Sequence, residues 1–152
     1  LIDIESLKNP KISRVSGNRT KGLNLSHREQ LILNNEILKH RIKFDDYFND
    51  IDILITPVAS SAAFKQDQKG PRHRRFLNIN NQLQPENIQL FWSGYSGVVG
   101  LPSVVGPIGQ VNNLPVGYQA ISGFGKDYTA LSFAIAVEKE LMGFCPPPIS
   151  NI

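Results

Sequence analysis

Apolar residues recur along this chain at two different periods, and the switches between them mark the elements. Leu33, Ile37, Phe44 and Phe48, flanked by Leu31, Leu38 and Ile42, describe one wide helical face over residues 27–49. Ser26-His27-Arg28-Glu29 places a capping box at its start, with Glu29 reaching back to Ser26. Lys39, Arg41, Lys43, Asp45 and Asp46 are expected to face solvent. The run Ile51-Asp52-Ile53-Leu54-Ile55-Thr56, stopped by Pro57, predicts a strand buried on both faces apart from Asp52. Residues 58–85 show no period and read as irregular. Pro85-Glu86 opens a helix that runs through Leu90, Phe91 and Trp92 to about Gly97, since Pro fits a first turn and an acid complements the dipole there.

Two further strands, Ser103-Val104-Val105 and Val116-Gly117-Tyr118-Gln119-Ala120-Ile121, are joined around Asn112-Asn113-Leu114-Pro115. The last helix covers residues 127–142, with Ala130, Phe133, Ala134, Val137 and Leu141 on one face. Gly143 stands where a left-handed C′ glycine belongs, and Pro146-Pro147-Pro148 cannot continue the helix. Helices alternating with short buried strands predict an α/β layered architecture. Three strands are clearly legible, a small sheet for so many buried-looking residues.

Charge sharpens this picture. Residues 1–50 carry nine Lys/Arg against seven Asp/Glu, residues 51–85 five against two, and residues 86–152 two against four. Between Glu86 and Lys126 lie 39 consecutive residues with no Asp, Glu, Lys, Arg or His. Eight glycines and three prolines within the run exclude a membrane span, so it reads as protein interior. With 152 residues, 41% of them hydrophobic, the chain is long enough for one domain and excludes wholesale disorder, collagen and coiled coil. Cys145 is the single cysteine, which excludes an intrachain disulfide and suits a reducing compartment. The start, Leu1-Ile2-Asp3-Ile4-Glu5, lacks Met and carries acids where a secretory signal is basic. The expectation is a cytoplasmic piece of a longer polypeptide.

No complete catalytic constellation emerges from the residues. Arg72-His73-Arg74-Arg75 invites a polyanion, but few aromatics accompany it, so a solvated loop is expected and nucleic acid is not. Gly94-Tyr95-Ser96-Gly97 departs from the G-x-S-x-G elbow by one residue, leaving Ser96 as a helix-packing residue. Gly94, Gly97 and Gly100 match no phosphate loop, and Gly123-Phe124-Gly125-Lys126-Asp127 reads as a turn before a helix. His27, His40 and His73 are scattered, so no metal site is expected, and nothing near Cys145 activates its thiol.

From Gly22 onward the sequence nevertheless resembles the C-terminal part of the amidase signature family, piece by piece and in the family's order. Gly22-Leu23-Asn24-Leu25-Ser26-His27-Arg28 is similar to its "G-L-x-L-S-H-R" helix start, and Asp52-Ile53-Leu54-Ile55-Thr56-Pro57 to its "D-V-L-L-T-P" strand. Phe91-Trp92-Ser93-Gly94-Tyr95-Ser96-Gly97-Val98-Val99-Gly100-Leu101-Pro102 resembles "W-x-G-L-A-G-x-x-x-L-P". Pro107-Ile108-Gly109, then Leu114-Pro115-Val116-Gly117-Tyr118-Gln119, resembles "P-I-G … L-P-V-G-V-Q", with Tyr118 larger than the family's usual aliphatic residue. Gly143-Phe144-Cys145-Pro146-Pro147-Pro148 resembles the closing "G-F-x-P-P-P".

The resemblance implies a hydrolase of carboxamide C–N bonds using a nucleophilic Ser, a bridging Ser and a Lys base. All three belong to an N-terminal half whose motifs are absent here, so no catalytic residue is carried over, and no cofactor or metal is expected. It implies the C-terminal portion of a mixed β-sheet flanked by helices, divided into an irregular lead-in (1–21), a family-like region (22–148) and a tail (149–152). Phe91, Trp92, Ser93 and Tyr95 are the candidate substrate-pocket wall, against the alternative that they are helix-packing core. The expected partners are a small-molecule amide and the N-terminal half of the same fold. The series suits both a plain amidase and an amidotransferase A-type subunit, with the Pro-rich tail leaning toward the former. The alternative from another class is a truncated, non-catalytic interaction module derived from an amidase.

Overall fold

The computed structural model describes residues 21–70 and 74–146. Its longest helix, α1 (His27–Tyr47), begins at the capping box. Glu29 N–H donates to Ser26 Oγ at 3.3 Å, while the Glu29 carboxylate accepts from Ser26 N–H at 2.8 Å and from Ser26 Oγ at 2.6 Å. Orphan donors of the first turn are thereby satisfied. Then follow β1 (Leu54–Pro57), β2 (Phe76–Ile79), β3 (Gln82–Pro85), a 3-10 turn (Glu86–Leu90), α2 (Ser93–Val99), β4 (Ser103–Val111), β5 (Leu114–Ile121) and α3 (Asp127–Glu140).

Two hairpins share one device. Asn112 and Asn113 join β4 to β5 at φ 53° and 62°, and Asn80 and Asn81 join β2 to β3 at the same two angles. Positive φ at both central residues is the type I′ form of a two-residue hairpin loop, whose twist matches that of the strands, and Asn tolerates it. The hairpin over residues 76–85 corrects the irregular reading of that stretch. Strands of only four residues are too short to show a period, but Asn80-Asn81 is the available signal. The predicted helix from residue 86 also divides, into the 3-10 turn and α2, with Phe91 and Trp92 at the junction.

The main sheet has the order β1-β5-β4, and every described ladder is antiparallel. The α/β expectation holds: helices flank a sheet on both faces. Ile121 and Tyr118, three residues apart in β5, point to opposite faces. On one face Ile121 packs with Val99 and Leu101, and with Phe44, Phe48 and Leu54 around them. On the other, Tyr118 meets Phe133 of α3 edge-on, ring centroids 6.0 Å apart.

Burial on both faces is achieved by central β5 only. Edge strand β1 buries Thr56 but leaves Ile55 56% exposed, since α3 covers β4 and β5 rather than β1. At the end of α3 the glycine expectation is also corrected. Leu141 and Met142 N–H both reach Val137 O, and Gly143 is not among the positive-φ glycines. The left-handed cap belongs instead to Gly100, φ 69°, which ends α2.

Gly106 explains how the fold admits the large Tyr118. The two are cross-strand partners, and a Cβ on Gly106 would lie 2.8 Å from Tyr118 Cε1. The ring lies where a side chain would otherwise stand. Gly106→Ala should therefore cost about 1–3 kcal/mol through overpacking, and much less in a Tyr118→Val background. Urea midpoints of the two single variants and the double variant measure this, and additive losses would refute it. A second expectation concerns Glu29, whose carboxyl is held below the ordinary range by hydrogen bonds from the Ser26 side chain and backbone. A lowered folded-state pKa contributes stability above the unfolded value, lost as pH falls through the folded one. Acid should fray the start of α1 selectively, and Glu29→Gln should flatten that response in pH-dependent amide exchange.

Candidate functional site

The junction between the 3-10 turn and α2 gathers the aromatic residues. Phe91 meets Trp92 edge-on at 5.1 Å and Tyr95 edge-on at 5.6 Å between centroids. Trp92 and Tyr95 lie 5.9 Å apart at 21°, and Tyr95 also meets Phe44 of α1 edge-on at 6.5 Å. Phe91 is 55% exposed and Tyr95 37%, so the cluster leans on α1 with one side open. Ser93 does not join the rings: its Oγ donates to Leu90 O at 2.9 Å and bridges the two helical segments.

Polar contacts fix this wall from two sides. Gln89 accepts from Ser60 N–H at 2.9 Å and donates to Ser61 Oγ at 2.8 Å, while Ser60 Oγ donates to Ile88 O at 3.2 Å. The segment after β1 is thus tied beneath the aromatic cluster. On the sheet side, Ser96 Oγ accepts from Gln119 Nε2 at 3.0 Å and from Ser103 Oγ at 3.3 Å, and donates to Ser93 O at 3.4 Å. One donor and two acceptor positions are all a hydroxyl has. Ser96 is fully engaged in packing α2 on the sheet, as its sequence context suggested, and has no base beside it.

Arg41 corrects the expectation of a solvent-facing side chain. Its Nε donates to Val99 O at 2.8 Å, and its guanidinium lies 4.1 Å from the Phe124 ring centroid. The last carbonyls of a helix lack intrahelical partners, and a planar cation serves one while stacking on a ring. Arg41 thus links α1, the end of α2 and the turn before α3. That turn is as expected, with Lys126 N–H reaching Gly123 O at 2.9 Å and Gly125 at φ 72°.

The remaining candidates stay apart. Arg75 lies 3.8 Å from Glu86, across the base of the 76–85 hairpin, and donates to Gly70 O at 3.0 Å, so it is engaged within the protein. Arg72 and His73 lie outside the described residues. Among the described residues no group of His, Cys, Asp or Glu could hold a metal ion, and no helix is long and apolar enough to cross a membrane. Cys145 is exposed. Sequence reasoning missed Arg41, Gln89 and Ser60, whose partners lie 28 to 58 positions away.

A helix-flanked antiparallel sheet carrying an aromatic helix junction defines an α/β scaffold with a half-open apolar wall. The chain belongs to the amidase family, whose model, described as Amidase, matches residues 10–131. It is 32% identical over 99 residues to the A subunit of a glutamyl-tRNA(Gln) amidotransferase from Fusobacterium nucleatum subsp. nucleatum, covering 64% of this chain and 18% of that protein. Among solved structures it resembles an amidase at TM-score 0.64 and 19% identity, over 86% of this chain and 29% of that one. The glutamyl-tRNA(Gln) amidotransferase A subunit from Thermotoga maritima matches at TM-score 0.53 and 25% identity, over 94% of this chain and 32% of that one. The chain thus spans less than a fifth of the length of the curated relative it matches.

The Ser96 arrangement generates a direct expectation. Ser96→Ala leaves the buried Gln119 amide without its partner and should destabilise by about 1–3 kcal/mol. Adding Gln119→Leu should recover most of that loss, because removing both partners leaves no buried polar group. Paired denaturation curves decide the point, and a double variant worse than Ser96→Ala alone would contradict it.

Proposed function

We propose that this chain is the C-terminal part of an amidase-type hydrolase cleaving carboxamide C–N bonds, with its nucleophilic Ser, bridging Ser and Lys base outside these 152 residues. The observation that carries the reading is an amidase-family match over residues 10–131 in a chain spanning 18% of a curated relative. In the complete enzyme the Ser attacks the amide carbonyl and the C–N bond breaks. The leaving amine takes a proton, and water then hydrolyses the acyl-enzyme.

This chain contributes scaffold and wall. Phe91, Trp92 and Tyr95 face a small-molecule amide, with Ser93 fixing the junction that carries them. The partner is the rest of the same fold, supplied within one polypeptide, and the setting is the cytoplasm, which suits the lone thiol. Support for a covering partner comes from apolar side chains left open. Leu31, Ile32, Leu38 and Ile42 on α1 are about half exposed, and Tyr128 on α3 is 86% exposed. Full burial of such side chains is worth roughly 1.5–3 kcal/mol each. The same open stripe favours a second reading, a non-catalytic module that docks through α1.

The purified 152-residue chain should hydrolyse no amide by itself, bind a hydrophobic dye strongly and tend to aggregate. Co-refolding with the N-terminal portion of the same fold should suppress dye binding and yield turnover. Activity of the lone chain that survives further purification, and vanishes with one internal substitution, would overturn the assignment of the catalytic residues. A sharp cooperative melt of a clean monomer would remove the need for the partner. Assembly without turnover would favour the docking module.

A further inference from the structure

On the face of the sheet opposite Ile121, a groove of about 260 Å3 opens between α3 and edge strand β4. Val104 and Pro107 of β4, Leu131 and Ile135 of α3, and Phe144 beyond the helix form its apolar walls. Two polar groups break this lining. Tyr118 is 4% exposed, yet its hydroxyl has no hydrogen-bond partner among the described residues. The ring crosses Gly106, with the hydroxyl oxygen 2.9 Å from where a Cβ on that glycine would stand, so the hydroxyl reaches over β4. Glu138 is the second group. Leu131, Ala134, Ile135 and Glu138 follow at helical spacing along one stripe of α3, so an acid stands where a further apolar residue would continue the row. Gly143 leaves it room: a Cβ there would lie 3.3 Å from Glu138 Cγ and 3.6 Å from its Oε1.

We propose that this groove binds a small primary amine in its ammonium form, the alkyl stem on the apolar walls and the head held by the Glu138 carboxylate and the Tyr118 hydroxyl. The inference goes beyond the hydrolase reading and does not depend on it. Charge and hydration select the ligand class. Among the described residues Glu138 has no ion-pair partner, and neighbouring Lys139 lies 3.9 Å from Glu140 instead. Glu138 also stands in the last turn of α3, whose terminal carbonyls carry partial negative charge and favour a cation. Both features repel a carboxylate or phosphate. A neutral alkyl guest would cover the carboxylate and hydroxyl without replacing their water. An ammonium has three donors, two for these oxygens and one for water at the open mouth. The volume lies just below that of pockets for drug-sized ligands, which limits the stem to a few carbons.

The experiment titrates n-butylammonium, n-butanol and butyrate into the complete polypeptide that carries residues 22–148. The three share a short alkyl stem and differ in the head group, and constant ionic strength removes differences in screening. Calorimetry should give n-butylammonium a Kd in the millimolar range. The other two should bind at least roughly tenfold more weakly. Glu138→Gln keeps the size but removes the charge, and should weaken n-butylammonium roughly tenfold. Tyr118→Phe keeps the ring but removes the hydroxyl, and should weaken it roughly fivefold. Tyr128→Ala, at an exposed position of α3 outside the groove, should change nothing. Should Tyr118→Phe fold poorly, Glu138→Gln at its exposed position carries the test. No binding of n-butylammonium, as when another part of the polypeptide fills the groove, would overturn the proposal. So would n-butanol or butyrate binding as tightly, unaltered affinity in Glu138→Gln, or an equal loss in Tyr128→Ala. None of these results bears on amide hydrolysis, which is not the readout.

Discussion

Coverage of β5 on both faces and both edges is the constraint from which the other contacts follow. Ala120 and Ile121 are completely buried, as is Ser122 just beyond the strand. Their strand is paired with β1 on one side and β4 on the other. A strand enclosed in this way has its backbone groups satisfied laterally, so its two side-chain rows must each find a packed layer. One row supplies Ile121 to Val99, Leu101, Phe44 and Phe48. The other supplies Tyr118, which fits because β4 offers Gly106 opposite and α3 offers Phe133. The uncharged run over residues 87–125 contains that enclosed strand. The expectation that the whole run is interior is corrected: Leu90, Val98, Val105, Ile108 and Val111 lie in it and are exposed, because no described element covers them.

Elements governed by local chemistry are legible in the residues themselves. The capping box set the start of α1, and Asp127 opened α3 where expected. The Asn112-Asn113 turn joined two strands longer than the predicted runs. What escaped was set by position within the sheet. The run over residues 51–56 reads as doubly buried because its residues are apolar, yet β1 is an edge strand and α3 lies over its neighbours. Hydrophobicity records what a residue tolerates, while the order of strands decides what it meets. The 76–85 hairpin escapes for the opposite reason: its turn chemistry is plain, but strands of four residues, Phe76–Ile79 and Gln82–Pro85, are too short to establish a period.

The candidate site was legible in part, and through resemblance rather than periodicity. Phe91, Trp92 and Tyr95 do come together, whereas Ser93 spends its hydroxyl on Leu90 O. The residues that hold the wall could not be found from spacing. Gln89 meets residues before the 76–85 hairpin, and Arg41 crosses from α1 to the far end of α2. Such long-range hydrogen bonds leave no local pattern, because either partner alone looks like an ordinary surface residue.

The balance between what is buried and what is left open bears on the proposal that this fold is completed by further chain. The buried apolar cluster consists of Val99, Leu101 and Ile121, with partly buried neighbours around it. Full burial of each is worth roughly 1.5–3 kcal/mol. On α1 alone, Leu31, Ile32, Leu33, Leu38 and Ile42 remain about half uncovered. At the same coefficient, the apolar surface left open on this one helix is comparable with the gain from that cluster. α1 contains no fully buried residue, although it is the longest described helix and carries the capping box. Helices of this length draw most of their stability from a packed apolar face rather than from propensity. A covering layer over α1 would therefore stabilise the helix that anchors Tyr95 through Phe44 and caps α2 through Arg41, and so the aromatic wall itself.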